Sequence, residues 1–178
     1  MKRNVLVIAL MCSMSVFFLY SRSSALMVGL STKELTRTSE VIIQGEVERV
    51  KSYWSKDRET IFTNVSIVIR DIIKGKVAQN KIEVEHEGGE IGNKSLKFSD
   101  EPTFKKGEKV ILFLETRKSK IGEQGKEVYN IVGCAQGKYT IGDDGIARKT
   151  GFSITGGDDI VDNNISLDAI IDKIKEME

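Results

Sequence analysis

Residues 40–75, EVIIQGEVERVKSYWSKDRETIFTNVSIVIRDIIKG, alternate apolar and polar positions over two long segments separated by one polar loop. In the first segment Val41, Ile43, Gly45 and Val47 share one face, and Gln44, Glu46 and Glu48 take the other. In the second, Ile61, Thr63, Val65, Ile67 and Ile69 alternate with Asn64, Ser66, Val68 and Arg70. A period of two sustained this long specifies half-buried strands, because successive side chains of a strand point to opposite faces. The polar stretch 55–60 has hairpin length, so the two strands pair antiparallel. The first strand also changes phase. Up to Val47 the odd positions are apolar, whereas Val50 and Trp54 occupy even ones. That slip predicts a β-bulge near Arg49, and a bulge lets a long strand bend from one sheet into another.

Other strands must cover this hairpin, and the rest of the chain supplies them. Residues 81–87 place Ile82 and Val84 on one face and Glu83, Glu85 and Glu87 on the other, with Gly88-Gly89 ending the run. Residues 90–109 read as loop with a short strand at 95–98 and the only proline, Pro102. The run 110–114 is apolar on both faces, the mark of a strand covered on both sides. A polar hairpin loop at 117–126 leads to a strand at 128–132, and 138–141 and 145–148 flank a turn at Gly142-Asp143-Asp144. Two helices bracket these strands. Ser31 with Glu34 forms a capping box, with Leu30 and Leu35 placed as a hydrophobic staple. Ser166 caps a final helix whose Leu167, Ile170, Ile171, Ile174 and Met177 make one apolar stripe. About seven short strands with a bent first one predict a mainly all-β fold. The expected form is a small Greek-key barrel of the OB type, with a short N-terminal helix and a C-terminal amphipathic helix packed on the barrel. An immunoglobulin-like sandwich is the alternative, and it accounts less readily for the bulge.

The N-terminal segment stands apart. Lys2 and Arg3 precede an apolar run over 5–20, and Ser23-Ser24-Ala25 offers small residues for cleavage. This is the pattern of a secretory signal peptide, and the run is shorter than the ~20 residues a spanning helix needs. Met11 is too bulky to mark Cys12 for lipidation. The expected organisation is a signal peptide at 1–25, the barrel at 26–149, a Gly-, Asp- and Asn-rich linker at 150–165 and the terminal helix at 166–178. The expected location is periplasmic or extracellular. Loss of Lys2, Arg3 and Arg22 would change the formal charge from +1 to −2. So mixed and near-neutral a surface offers neither the basic patch that nucleic acid requires nor attraction to anionic membranes. Cys134 alone would remain, so no intramolecular disulfide forms.

The run Glu40 to Gly45, Tyr53-Trp54, Ile61-Phe62-Thr63 and Ile72-Ile73-Lys74-Gly75 resembles a family of small exported bacterial domains. The resemblance continues through Gly88-Gly89-Glu90, Pro102, Phe104, Gly107-Glu108, the 110–114 strand and Gly137-Lys138-Tyr139, and so covers most of the chain beyond the signal segment. It implies a β-barrel and no particular reaction. More distantly, the early strands and the Lys74-Gly75 turn are similar to the netrin-like OB barrel of tissue inhibitors of metalloproteinases. Those inhibitors chelate the protease zinc through a mature N-terminal cysteine. The mature start expected here is Leu26, with no cysteine nearby, so the resemblance implies the fold and not that mechanism.

Catalytic chemistry finds little support in the residue pattern. His86 is the only histidine, and Glu85 and Glu87 face away from it along the strand, so a metal site is not indicated. A strand-end histidine of this kind is expected to be partly exposed. A Cys134–His86 nucleophilic pair has no local sequence to orient it. The acidic residues Asp158, Asp159 and Asp162 lack the ligand spacing and closing glutamate of a calcium loop. Glycine pairs occur without a phosphate-cradle context, and no serine sits in a nucleophile elbow. Tyr53, Trp54, Phe62, Tyr129 and Tyr139 are candidates for a stacking surface, although most suit core or cross-strand positions better. The candidate binding residues are Tyr53 and Trp54 beside the exposed loop, with His86 and Glu90 at the end of the third long strand. The expected function is a non-enzymatic binding module for a protein or surface glycan, with no cofactor. A loop-mediated protease inhibitor and a hydrolase using Cys134 are the alternatives.

Overall fold

A computed structural model of the chain describes residues 27–121, 126–152, 154–155 and 161–177. The expected signal segment, Cys12 and the Asp158-Asp159 pair lie outside the described residues. In chain order the elements begin with β1 (Met27–Val28), α1 (Thr32–Thr38), β2 (Val41–Trp54), β3 (Ile61–Lys74) and β4 (Lys81–Glu87). There follow β5 (Gly89–Ile91), β6 (Lys94–Leu96), β7 (Lys109–Lys118) and β8 (Glu127–Ile131). After a 3₁₀ turn at Cys134–Gly137 come β9 (Lys138–Ile141), β10 (Ile146–Arg148), β11 (Ile154–Thr155), β12 (Ile165–Ser166) and α2 (Leu167–Lys175).

Five of these strands close into a ring. Strand β2 pairs antiparallel with β3, β3 with β4, β7 with β2 and β8 with β7. The ring is completed by a parallel pairing of β4 with β8 at Val84 and Tyr129. Taken in sequence the barrel strands run first, second, third, fifth, fourth. This is the Greek-key order of an OB-like barrel, and the protein is mainly β with one short helix near each end. Three register shifts interrupt the β2–β3 ladder, one of them between Val47 and Arg49, where the phase of the sequence changes. The bends let β2 pair with β7 through its first half while its second half stays with β3 alone.

Two cores follow from the two faces of that bent sheet. Inside the barrel, Val41, Ile43, Val47, Val65, Ile67, Ile82, Val84, Val110, Leu112, Leu114 and Ile131 pack together. On the outside, Ile42, Ile111, Phe113, Tyr139, Ile141 and Ala147 meet Leu35 of α1 and Ile170 and Ile174 of α2. Strand β7 faces both cores, which is why 110–114 is apolar without alternation. Strands β8 and β9 lie one after the other along the same edge of β7, separated by the 3₁₀ turn. Strand β9 then carries β10 and β12 outward to form the floor under α2.

The helix ends are satisfied as their sequences indicate. Ser31 accepts from the Glu34 amide while the Glu34 carboxylate accepts from the Ser31 amide, completing the capping box. At the other end of α1, Lys74 Nζ donates to the carbonyls of Thr36 at 2.6 Å and Ser39 at 2.9 Å, placing a cation on the negative helix terminus. Gly75 follows at φ +83°, where a Cβ would lie 2.4 Å from the Glu40 carbonyl oxygen. A side chain at 75 would therefore push the β3 terminus away from the start of β2.

The stretch expected to act as a linker is tied to the body wherever it is described. Strand β11 pairs parallel with β1, and the Asn163 carboxamide brackets the backbone of Lys149 with two hydrogen bonds. Asp162 pairs with Lys173 and accepts from Thr32, joining both helices. Among the described residues no helix is long and apolar enough to cross a membrane.

Lys149 sits against this junction, 4% exposed, with Nζ 4.5 Å from the Tyr139 ring centre and no hydrogen-bond partner among the described residues. Burial holds its pKa down at about 7 from an ordinary 10.5, and Asp162 offsets only part of that. Between those values the unfolded chain binds a proton that the folded one lacks, so stability rises as pH climbs through the window. At pH 7 and below the burial cost is present in full. Lys149→Met is therefore expected to stabilise the protein at pH 7 by about 1–3 kcal/mol, with the gain shrinking towards pH 10. Urea unfolding at pH 7, 8.5 and 10 reads both effects, and a loss of stability at pH 7 would contradict them.

Candidate functional site

The barrel interior is not apolar to the end. Val50, Val65 and Val84 stand in one cross-strand row of β2, β3 and β4, and the next row on that face is Ser52, Thr63 and His86. The hydroxyls form an ordered chain. The Glu90 amide donates to Ser52 Oγ at 3.3 Å, Ser52 and Thr63 are 3.0 Å apart, and Thr63 Oγ1 donates to the Gly88 carbonyl at 2.7 Å. Thr63 thus spends its proton on Gly88 and receives that of Ser52. The β5–β6 hairpin presses its backbone against these hydroxyls. Gly89 has φ +137°, and a Cβ there would come within 2.3 Å of Thr63 Oγ1 and 2.4 Å of Ser52 Oγ. Only glycine allows that approach.

This end of the barrel opens into a cleft of about 420 Å³. Val50, Leu96, Phe98, Pro102 and Phe104 supply its apolar walls, and Ser52, Thr63, His86, Glu87, Glu90, Lys97, Glu101 and Thr103 its polar groups. Apolar walls with a few convergent polar groups are what small ligands and inserted side chains occupy. His86 is only 8% exposed, and its ring centre lies 5.8 Å from that of Phe104. The expectation of a partly exposed histidine is therefore corrected: the 90–104 segment folds over the end of β4 and covers it. Burial draws the His86 pKa below its usual value, with the bond to Glu87 acting against it, so the ring is neutral at pH 7. Its Nδ1 is 2.7 Å from the Glu87 carbonyl oxygen, which requires the proton on Nδ1. Glu101 Oε2 lies 3.8 Å from the same nitrogen. Burial first, then Asp100 and Glu87, push the Glu101 carboxyl up to about 7.

The sequence-derived binding residues separate into two groups. His86 and Glu90 meet in the cleft. Trp54 is two residues beyond Ser52 on the same strand face, at the rim, and 37% exposed. Tyr53 lies on the outer face, with Lys51 Nζ 5.0 Å over its ring, beside a shallow depression shared with Arg49, Asn64 and Ile121. Among the described residues the five aromatics do not make one exposed platform: Tyr139 is buried in the core under the helices, and Phe62, the cross-strand neighbour of Tyr53, is buried as well. Glu101, Phe98 and Phe104 were not foreseen. The available signal was an acidic pair, Asp100-Glu101, embedded among Phe98, Pro102 and Phe104 in a stretch without periodicity.

Cys134 follows Gly133 into the left-handed region at φ +53° and is half-buried. Burial first, then Glu101, Asp100 and Glu87, raise its thiol to about 11, so it is protonated and a poor nucleophile at neutral pH. Among the described residues no three His, Cys, Asp or Glu side chains are grouped to hold a metal ion. No family model and no curated protein matches this sequence.

The outer face of β4 holds a further buried carboxylate. Glu85 is fully buried, because the 119–121 tip folds over it. Ser119 Oγ and the Lys120 amide donate to its carboxylate at 2.7 and 2.8 Å, and Arg117 Nη2 lies 3.6 Å away. The hairpin loop read as exposed is in this part a cover.

Proposed function

We propose that this protein is an exported, non-enzymatic β-barrel module that binds a protein or surface glycan at the open mouth of its barrel. The observation that carries this reading is the cleft itself. A barrel filled elsewhere by aliphatic side chains ends in a recess lined by Phe98, Phe104, His86 and Glu101. The exposed rim residues Trp54 (37%) and Phe98 (42%) extend the apolar surface beyond the recess. The resemblance to small exported bacterial domains and the signal-like N-terminus support export. The high pKa of the Cys134 thiol favours binding over hydrolysis.

Affinity capture from the exporting cell with wild-type and Phe98→Asp protein tests the reading. A partner or glycan held by the wild type should be lost from the variant, and equal retention by both would contradict a mouth-based mode. A second reading, a protease inhibitor of netrin-like type acting through loops, draws on the hairpin tip at 55–60. That loop is preorganised: the Ser55 amide donates to the Thr60 carbonyl at 2.8 Å, the Arg58 amide to the Ser55 carbonyl at 2.9 Å, and the Thr60 amide to Ser55 Oγ at 2.9 Å. Rigid exposed loops lose little entropy on docking. Purified protein that leaves a panel of secreted proteases unaffected removes this reading.

A further inference from the structure

We propose that the mouth cleft receives the cationic side chain of a lysine or arginine from a partner polypeptide, its charged end lodging between Glu101 and the free ring nitrogen of His86, with Glu87 at the exposed rim. The inference rests on the cleft being the binding site and specifies what enters it. The first argument is the balance of donors and acceptors. The hydroxyl protons of Ser52 and Thr63 are committed within the chain that ends at Gly88. The amides of Gly88 and Glu90 are spent on Ile61 and Ser52, and the ring proton of His86 on Glu87. His86 is more than nine-tenths buried and lines the cleft, yet its Nε2 has no hydrogen-bond partner among the described residues. Of the other donors lining the recess, Lys97 is paired with Glu90 and the Thr103 hydroxyl remains, so acceptors outnumber donors there and suit an occupant that brings donors.

Charge points the same way. Arg117 is engaged with Glu85, Lys138 with Glu108 and Lys97 with Glu90. Glu87, Asp100 and Glu101 have no lysine or arginine within ion-pair distance among the described residues, and neutral His86 does not compensate them. A desolvated carboxylate without a counter-charge is a place where an incoming cation gains most. Phe98 and Phe104 suit the methylene stem and attract a cation to their faces, although Lys138 already occupies one side of Phe104 at 4.6 Å. A polypeptide source, instead of a free amine, fits the rim, where exposed Trp54 and Phe98 can meet residues flanking the inserted side chain.

The groups facing Glu101 are Asp100 beside it, His86 and Glu87 from β4, Arg117 from β7 and Cys134 from the 3₁₀ turn. Of these Arg117 alone favours its ionised form, and the carboxyl titrates at about 7. A cation prefers the ionised carboxylate, so affinity should rise about tenfold from pH 6 to 8, following the ionised fraction of such a group.

The chain has one histidine and one tryptophan, so the His86 ring protons and the Trp54 indole N–H are single, assigned probes. Blocked Gly-Xaa-Gly tripeptides with lysine, norleucine or glutamate, and n-butylamine, are titrated into the purified protein by NMR at pH 6 and 8. The lysine peptide should move both probes, bind about tenfold tighter at pH 8, and exceed the norleucine peptide at least tenfold. Glu101→Gln should abolish the pH dependence, and Glu87→Gln at the exposed rim should weaken binding several-fold. A norleucine or glutamate peptide that binds as tightly as the lysine peptide overturns the cation proposal and leaves the mouth as a binding site. Butylamine binding as tightly as the lysine peptide overturns the polypeptide assignment. No response of either probe to any of the four overturns both the inference and the mouth as the binding site.

Discussion

Phe113→Ala is expected to destabilise the protein by about 3–5 kcal/mol. Phe113 is fully buried on the outer face of β7, with its ring centre 6.2 Å from that of Tyr139, in the core that joins the barrel wall to α1 and α2. Its truncation removes the largest purely apolar group of that core. The strands on either side are fixed by the ladders to β2, β8 and β9, so they cannot collapse to fill the space. Removing an aromatic side chain then costs its transfer free energy and a cavity besides. In a chain of this length each kcal/mol lowers Tm by roughly 2–4 °C, so a fall of roughly 6–20 °C should accompany it. A change below 1 kcal/mol in urea unfolding would mean that the helices do not pack on this face.

Arg117→Ala should be nearly as damaging, at about 3–5 kcal/mol, for a different reason. Glu85 is fully buried on the far side of β4, and Arg117 is the cation nearest to it, also donating to its carbonyl at 2.6 Å. Deleting the arginine leaves a buried carboxylate supported only by Ser119 and the Lys120 amide. The damage lies in the isolated charge more than in the lost bond, so the double variant Glu85→Gln/Arg117→Ala should recover part of the stability. A double variant less stable than Arg117→Ala would show that the pair is not coupled in this way. The same interaction holds down the 119–121 tip, whose amides should exchange faster in the single variant.

The architecture was legible where local pattern and global fold coincide. The alternation from Val41 to Ile69 gave the hairpin, the phase slip at Arg49 gave its bend, and Ser31 with Glu34 gave the first helix, since each depends on neighbours in sequence. The site was legible only in part. His86 and Glu90 were singled out, but period two says only which face a side chain takes, not whether another segment later covers it. His86 is covered by residues 90–104 and Glu85 by 119–121, both loop segments without periodicity. Glu101 gained its character from Asp100, Glu87 and burial together, and only Asp100 adjoins it in sequence. The packing of 161–166 was hidden for the same reason: Asp162 and Asn163 read as solvated until Thr32, Lys149 and Lys173 are brought to them.

Closure of the ring is the claim on which the mouth, its cleft and its occupant all depend. It is carried by the parallel contact of β4 with β8 at Val84 and Tyr129, the only pairing among the described residues that joins third and fifth barrel strands. Interstrand nuclear Overhauser effects test it directly. The account predicts backbone contacts between Val84 and Tyr129, with slowly exchanging amides at 82–86. A spectrum lacking those contacts, with helical shifts across 61–73 or freely exchanging amides along β4, would contradict it.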